Sequence, residues 1–250
     1  MPGTPRIVFL HLPKCGGTTL HHQLLRWYPR AAFHPERHNG LYQSRMMSLA
    51  QKQVFSGHFD FYSTQFIPGP RRMITFLRQP RDRLLSLYHF HRAHRAEFIA
   101  AHNLTLAQFA HDHELAGYFA DPHVRAHPGV DNAMTRYLSD HPQLPGRAMP
   151  PMAELFAEAC ANLERFDAIG FVENYERSLQ QIARCLGQTA PDEIKPEQAL
   201  SAVTESNPHL RPVPRQMPCA ATQALMHELT YWDEQLYAAA QKRAAWLAAA

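Results

Sequence analysis

The chain has 250 residues and no apolar run that approaches the roughly 20 residues a membrane-spanning helix needs. No apolar core follows its first basic residue in the manner of a signal peptide. Both absences lead to the expectation of a cytoplasmic protein without a transmembrane segment. Cysteine is scarce: Cys15, Cys160, Cys185 and Cys219 form no CxxC pair, which leaves no disulfide framework and no zinc cluster to build on. Three of the four are expected as small buried apolar residues. Long runs of one charge sign are also missing. Lys/Arg and Asp/Glu mix along a chain with a formal net charge of +3 and a pI near 8.7. That balance suits an anionic ligand without demanding nucleic acid.

Further absences narrow the chemistry. There is no G-x-x-x-x-G-K-[ST], no G-x-G-x-x-G after a strand and no H-E-x-x-H, which argues against Walker-type triphosphatases, dinucleotide-binding domains and zincins. Internal repeats and low-complexity tracts are absent as well. What the chain does have is 45% hydrophobic content, enough for one well-packed domain spanning residues 1–250.

Short β-branched and aromatic runs occur at Arg6–His11, Gln53–Ser56, Arg72–Leu77 and Asp167–Val172, each followed by a polar or glycine-containing turn. Between and after them lie helical patterns at Thr18–Trp27, Pro80–Arg95, Pro151–Leu163, Tyr175–Leu186 and Ala221–Ala248. Strands alternating with helices predict an α/β fold with a central parallel sheet flanked by helices. Residues from about 98 to 150 interrupt the rhythm. They read as an insertion carrying two helical pieces, NLTLAQFAHDHELAGYF and DNAMTRYL. The proline-dense stretch at about 187–218 predicts an irregular loop.

Two motifs carry chemistry. In FLHLPKCGGTTL the first strand ends near Leu12, and Lys14, Cys15, Gly16, Gly17, Thr18 and Thr19 lead into a helix. Backbone N–H groups at a helix start are unpaired and carry the positive end of the dipole; glycines let an anion approach them and threonine hydroxyls add donors. A glycine turn serving only packing would explain the glycines but not a lysine with two threonines. In MITFLRQPRDRLLSLYHF, Arg78 ends a strand, Pro80 opens a helix and Ser86 follows Arg78 by eight residues. An arginine fork and a hydroxyl about two turns along the next helix can converge on one phosphate.

Together, LPKCGGTTL and LRQPRDRLLSLY resemble the sulfotransferases that use 3'-phosphoadenosine-5'-phosphosulfate (PAPS), in particular the bacterial and Golgi carbohydrate group similar to heparan sulfate 2-O-sulfotransferases. The resemblance implies a P-loop-like three-layer fold. It also implies that Lys14 through Thr19 bind the 5'-phosphosulfate and that Arg78 and Ser86 bind the 3'-phosphate. VFSGHFDFY resembles the family's segment bearing the catalytic histidine, here His58. DNAMTRYL, FDAIGFVENYERSL and WDEQLYAAAQKR resemble later family segments, so the likeness extends over nearly the whole chain.

Three features depart from or qualify the pattern. Cys15 stands where a threonine or serine is common, which keeps the backbone donor and replaces a hydroxyl by a weakly bonding thiol. Ser56 stands where some members carry a second histidine, so the mechanism rests on His58 alone. Asp60, two residues after His58, either orients the imidazole or is simply solvated. The chain has 17 histidines, and none of the sets His34/His38, His89/His91/His94 or His111/His113 has a zincin spacing. No metal is required on this reading.

The resemblance thus implies that His58 acts as general base and Lys14 stabilises the leaving oxygen, with adenosine 3',5'-bisphosphate as product. The acceptor is expected to be a carbohydrate or other hydroxyl-bearing molecule. Asp131, Asn132, Arg136 and Arg211 are candidates to contact it, against the plainer reading of a helix cap and solvated charges. Two alternatives remain: an ATP- and magnesium-dependent kinase or other nucleotide-dependent transferase, and a non-catalytic nucleotide- or glycan-binding relative.

Overall fold

The computed structural model describes residues 4–142, 148–191 and 207–249. In chain order the elements are β1 (Arg6–Leu10), α1 (Gly17–Trp27), α2 (Met46–Ala50), β2 (Val54–Gly57), α3 (Phe61–Thr64), β3 (Arg71–Leu77) and α4 (Pro80–Ala93). Then come α5 (Ala96–His102), α6 (Thr105–Asp112), α7 (Leu115–Ala120), α8 (Pro122–Arg125), α9 (Ala133–Leu138), α10 (Met152–Leu163), β4 (Ala168–Phe171), α11 (Tyr175–Cys185) and α12 (Ala220–Ala249). The described residues divide into two compact units. The first takes residues up to 79, 134–191 and 232 onward, the second 80–133 and 207–231.

The first unit holds a four-stranded, all-parallel sheet in the order β2-β1-β3-β4. Strands buried on both faces need apolar residues at every position rather than alternate ones, and RIVFL and RRMITFL supply them. Because successive strand side chains point to opposite faces, the sheet divides them cleanly. Ile7, Phe9, Val54, Ile74, Phe76 and Ala168 pack with Leu20 and Leu24 of α1 and Leu179 and Ile182 of α11. Val8, Leu10, Phe55, Met73, Leu77 and Ile169 pack with Met134 and Leu138 of α9, Ala159 and Leu163 of α10, and Leu236 and Ala240 of α12. The expected three-layer α/β architecture is thus present, with strand ends within one or two residues of the sequence reading.

In the second unit, α4, α6, α7 and the start of α12 share a core built on Leu84, Tyr88, Ala110, Tyr118, Phe119, Met226 and Leu229. The stretch expected as one helix from Asn103 breaks into α6 and α7, because His113 and Glu114 adopt extended backbone between them. The part of the proline-rich stretch after residue 206 is irregular, as expected. It is pinned to its own unit where Arg211 N–H donates to the Ala93 carbonyl and Gln216 accepts from Leu115 N–H. Residues 192–206 of that loop lie outside the described residues. None of the four cysteines forms a disulfide among the described residues, but only Cys15 is fully buried; Cys160 and Cys185 are half-buried and Cys219 is exposed. Among the described residues no helix is long and apolar enough to cross a membrane.

Candidate active site

All strands being parallel, their carboxyl ends lie along one edge of the sheet. The chain leaves β1 toward β2 on one side and later takes up β3 on the other, so the strand order reverses at β1, where open α/β sheets place their ligands. The loop after β1, His58 after β2, Arg78 after β3 and the turn after β4 all belong to this edge.

The register explains the first contact there. Leu10 of β1 pairs with Gly57 of β2, and His11 N–H extends the ladder to the Gly57 carbonyl at 2.9 Å. The next residues along the two strands, His11 and His58, therefore become neighbours, with ring centroids 4.2 Å apart. His58 Nδ1 lies 2.7 Å from the His11 carbonyl oxygen. A carbonyl only accepts, so Nδ1 carries the proton and Nε2 presents a lone pair. Burial lowers the His58 pKa below its ordinary value; the hydrogen bond to His11 opposes this, and the positive charges of Arg37, His38 and Lys14 add to it. His58 is consequently a neutral imidazole with a defined tautomer near pH 7.

The loop from β1 into α1 is held in an unusual backbone. Lys14 has φ 68° and Gly16 φ 69°, and a left-handed lysine costs roughly 1–2 kcal/mol. Strain of this kind marks a turn with a task. Gly16 caps α1 with no side-chain hydrogen bond, and no acidic residue occupies the first turn, which leaves the amide end of an 11-residue helix open to an anion. The half-buried Thr18 and Thr19 have hydroxyls with no protein partner among the described residues. A β-carbon on Gly17 would sit 2.1 Å from the His11 ring, so only glycine permits that close approach. The Tyr175 hydroxyl donates to the Gly16 carbonyl at 3.1 Å, and its ring stacks on Phe76 at 4.6 Å. The turn after β4 thereby buttresses the loop from behind. Arg78 is half-buried with no hydrogen-bond or ion-pair partner among the described residues. The backbone beside it is fixed where Gln79 N–H donates to Glu173 at 2.7 Å.

Several expected residues have other duties. Cys15 is fully buried within the core cluster of Leu10 and Leu12, so its side chain belongs to packing while its backbone remains in the loop. Asp60 is not solvated. It is completely buried, caps α3 by accepting from Ser63 N–H at 2.7 Å, and accepts from the Asn39 amide at 2.8 Å. Ser56, in place of a second histidine, meets His21 Nδ1 at 2.8 Å, and burial draws the His21 pKa down to about 4. In the second unit, Ser86 is half-buried on α4. There Asn132 is buried in left-handed backbone with φ 45°, its amide bonded to Asp131 at 2.8 Å. Arg211 is exposed and Arg136 half-buried. The cap of α9 comes from a residue of the first unit not anticipated, Asp233, which is buried and accepts from Met134 N–H, Thr135 N–H and the Thr135 hydroxyl at 2.8–3.1 Å.

Sequence reading also missed His11 and Arg37. His11 is buried, its Nδ1 has no hydrogen-bond partner among the described residues, and its pKa lies well below the ordinary value through burial and the charges of His58, Arg37, His21 and Lys14. The only sequence signal for it was its place as the last residue of the first strand pattern. The edge thus gathers a neutral base, an anion-ready helix start and several cations, an arrangement suited to moving a charged group onto a hydroxyl. Residues 1–238 match a family model described as Sulfotransferase family.

The chain belongs to the sulfotransferase family.

No curated protein matches the sulfotransferase at a significant level. Membership makes it an enzyme of sulfuryl transfer, a reaction that draws on a group to take a proton from the acceptor and on fixed positive charge where the leaving group's charge develops. Among the described residues no set of three or more His, Cys, Asp or Glu converges as a metal site.

Proposed function

We propose that this sulfotransferase moves the sulfuryl group of PAPS onto a hydroxyl of a carbohydrate or glycolipid, in the manner of the heparan sulfate 2-O-sulfotransferase group it resembles. The observation that carries the reading is the pairing of His58, with its Nδ1 proton committed to the His11 carbonyl, and the left-handed Lys14–Gly16 turn that opens α1. The hydroxyls of Thr18 and Thr19 and the Arg78 guanidinium, without partners among the described residues, support a ligand with oxyanions at two places.

The donor supplies an activated sulfuryl group with adenosine 3',5'-bisphosphate as leaving group. On the protein side, His58 Nε2 takes the acceptor's hydroxyl proton as that oxygen bonds to sulfur. Lys14 faces the bridging oxygen whose bond to sulfur breaks and whose negative charge grows. The amides opening α1, with Thr18 and Thr19, would hold the 5'-phosphate. Arg78 and Ser86 keep the 3'-phosphate role that the resemblance gives them. Little covalent work falls to the protein, and in-line placement with electrostatic stabilisation does most of it.

Calorimetry with adenosine 3',5'-bisphosphate against ATP and magnesium tests the donor, and transfer of radiolabelled sulfate from PAPS to a glycan panel tests the reaction. His58→Ala is expected to lower turnover by about 10²–10⁴-fold while nucleotide affinity is kept, and Arg78→Ala to weaken adenosine 3',5'-bisphosphate. Binding of ATP in preference, or undiminished transfer by His58→Ala, refutes the proposal.

A further inference from the structure

Arg37 differs from Arg6, Arg71 and Arg243 of its unit. Arg6 directs its terminal nitrogens to the Pro68 and Ala50 carbonyls at 2.6 and 2.7 Å, Arg71 bonds the Thr64 carbonyl at 2.6 Å, and Arg243 pairs with Glu164 at 2.9 Å. Arg37 is also half-buried, yet only its Nε is engaged, with the Ser56 carbonyl at 3.2 Å. Its two terminal nitrogens have no hydrogen-bond or ion-pair partner among the described residues. Partial removal of a guanidinium from water without a counter-charge is unfavourable, and the neighbouring groups do not relieve it. The charges acting on the buried rings of His58, His11 and His21 are all positive, and Arg37 is among them for each.

The backbone holds this charge next to the base. His58 N–H donates to the Arg37 carbonyl at 2.8 Å. A β-carbon on Gly57 would lie 2.6 Å from the Arg37 Cα, so glycine at that position lets Arg37 lie flat on the end of β2. With Nε anchored to Ser56, two residues before His58, the guanidinium plane is fixed from one side.

We propose that the two terminal nitrogens of Arg37 form an oxyanion subsite beside the His58 ring, gripping a sulfuryl, sulfate or carboxylate group in fork geometry. This rests on the reading of His58 as the base of sulfuryl transfer. Two sources supply such a group: the non-bridging oxygens of the sulfuryl group in transit, or an acidic substituent on the acceptor next to the reacting hydroxyl.

The test uses the full chain with Arg37→Gln and Arg37→Lys, each checked for native circular dichroism. Inorganic sulfate is titrated while the His58 ring is followed by NMR, its signals assigned by their loss in His58→Ala. Sulfate bound beside the ring raises the His58 pKa. Arg37→Gln is expected to weaken the apparent sulfate affinity by about tenfold or more, with Arg37→Lys in between. Kinetics with PAPS then separates the sources. A fall in kcat of about 10²-fold with every acceptor assigns the subsite to the sulfuryl group. A rise in KM confined to carboxylate- or sulfate-bearing glycans assigns it to the acceptor. An equal sulfate response in wild type and Arg37→Gln overturns the subsite. An Arg37-dependent sulfate response in a protein that binds no adenosine 3',5'-bisphosphate would instead overturn the PAPS reading and leave the subsite standing.

Discussion

Replacing Gly17 with alanine tests the geometry of the site through one added methyl group. The new Cβ would lie 2.1 Å from His11 Cδ2, 2.3 Å from Nε2 and 2.7 Å from Cγ, far inside van der Waals contact. The ring has nowhere to go: His11 is 5% exposed, stacks on Phe9 at 5.2 Å and faces His58 at 4.2 Å. On helix propensity alone alanine would stabilise by up to about 1 kcal/mol, while overpacking a fitted core costs about 1–3 kcal/mol. The expected outcome is a net loss of up to about 2–3 kcal/mol, from those two magnitudes, measured by urea unfolding. Because the displaced ring presses on the base, turnover should fall more than stability implies; a shift on the order of 1 Å can cost about 10²-fold. The double variant Gly17→Ala/His11→Ala removes the clash and keeps the His11 carbonyl that orients His58. The two substitutions should therefore couple favourably by about 1 kcal/mol or more. A Gly17→Ala protein at least as stable as wild type, with unchanged turnover, would refute the close approach on which the argument depends.

Three other outcomes follow from the same edge. His11 and His21 have pKa values lowered by burial, His21 to about 4 against an ordinary 6.5, so below pH 6.5 the unfolded chain binds more protons than the folded one. Their stabilisation is complete above 6.5 and is lost toward pH 4 at up to about 1.4 kcal/mol per pH unit for each group; a flat urea midpoint between pH 7 and 4.5 would contradict this. Asp60→Ala should cost about 1–2 kcal/mol through the lost α3 cap and leave the acid limb of kcat/KM, which on the proposed reading His58 sets below 6.5, where it was; a displaced limb would assign Asp60 as the group that orients the imidazole. Tyr175→Phe removes the hydrogen bond to the Gly16 carbonyl, and should lower stability by about 0.5–1.5 kcal/mol and weaken adenosine 3',5'-bisphosphate; unaltered nucleotide binding in calorimetry would separate that hydroxyl from the loop's function.

Much of this protein was legible before any coordinates. Continuous apolar strands spaced by helices define a parallel sheet, because strand and helix periods and double-sided burial are local properties of the chain. The strand–lysine–glycine–threonine order likewise locates the turn into α1, since the orphan amides of a helix start are a backbone property that local sequence exposes. Other assignments needed the fold. Cys15 looked like a ligand position, but the left-handed turn on either side of it buries its thiol. Asp60 could be read as orienting His58 or as solvated; the fold buries it at the start of α3, where it caps the helix. Asp131 and Asn132 were candidates for an acceptor contact or a helix cap; that Asp233, 99 residues after Met134, accepts from the first amides of α9 had no local signal.

Sequence therefore determined the sheet, the turn and the family, all of which rest on contacts within a few residues or on patterns along one element. Tertiary structure decided the tautomer of His58, the presence of His11 against it and the unpaired charge of Arg37. The first two depend on the register of β1 with β2 and the third on the segment that lies against the end of β2, and no local pattern encodes which side chains will meet beyond the ends of paired strands.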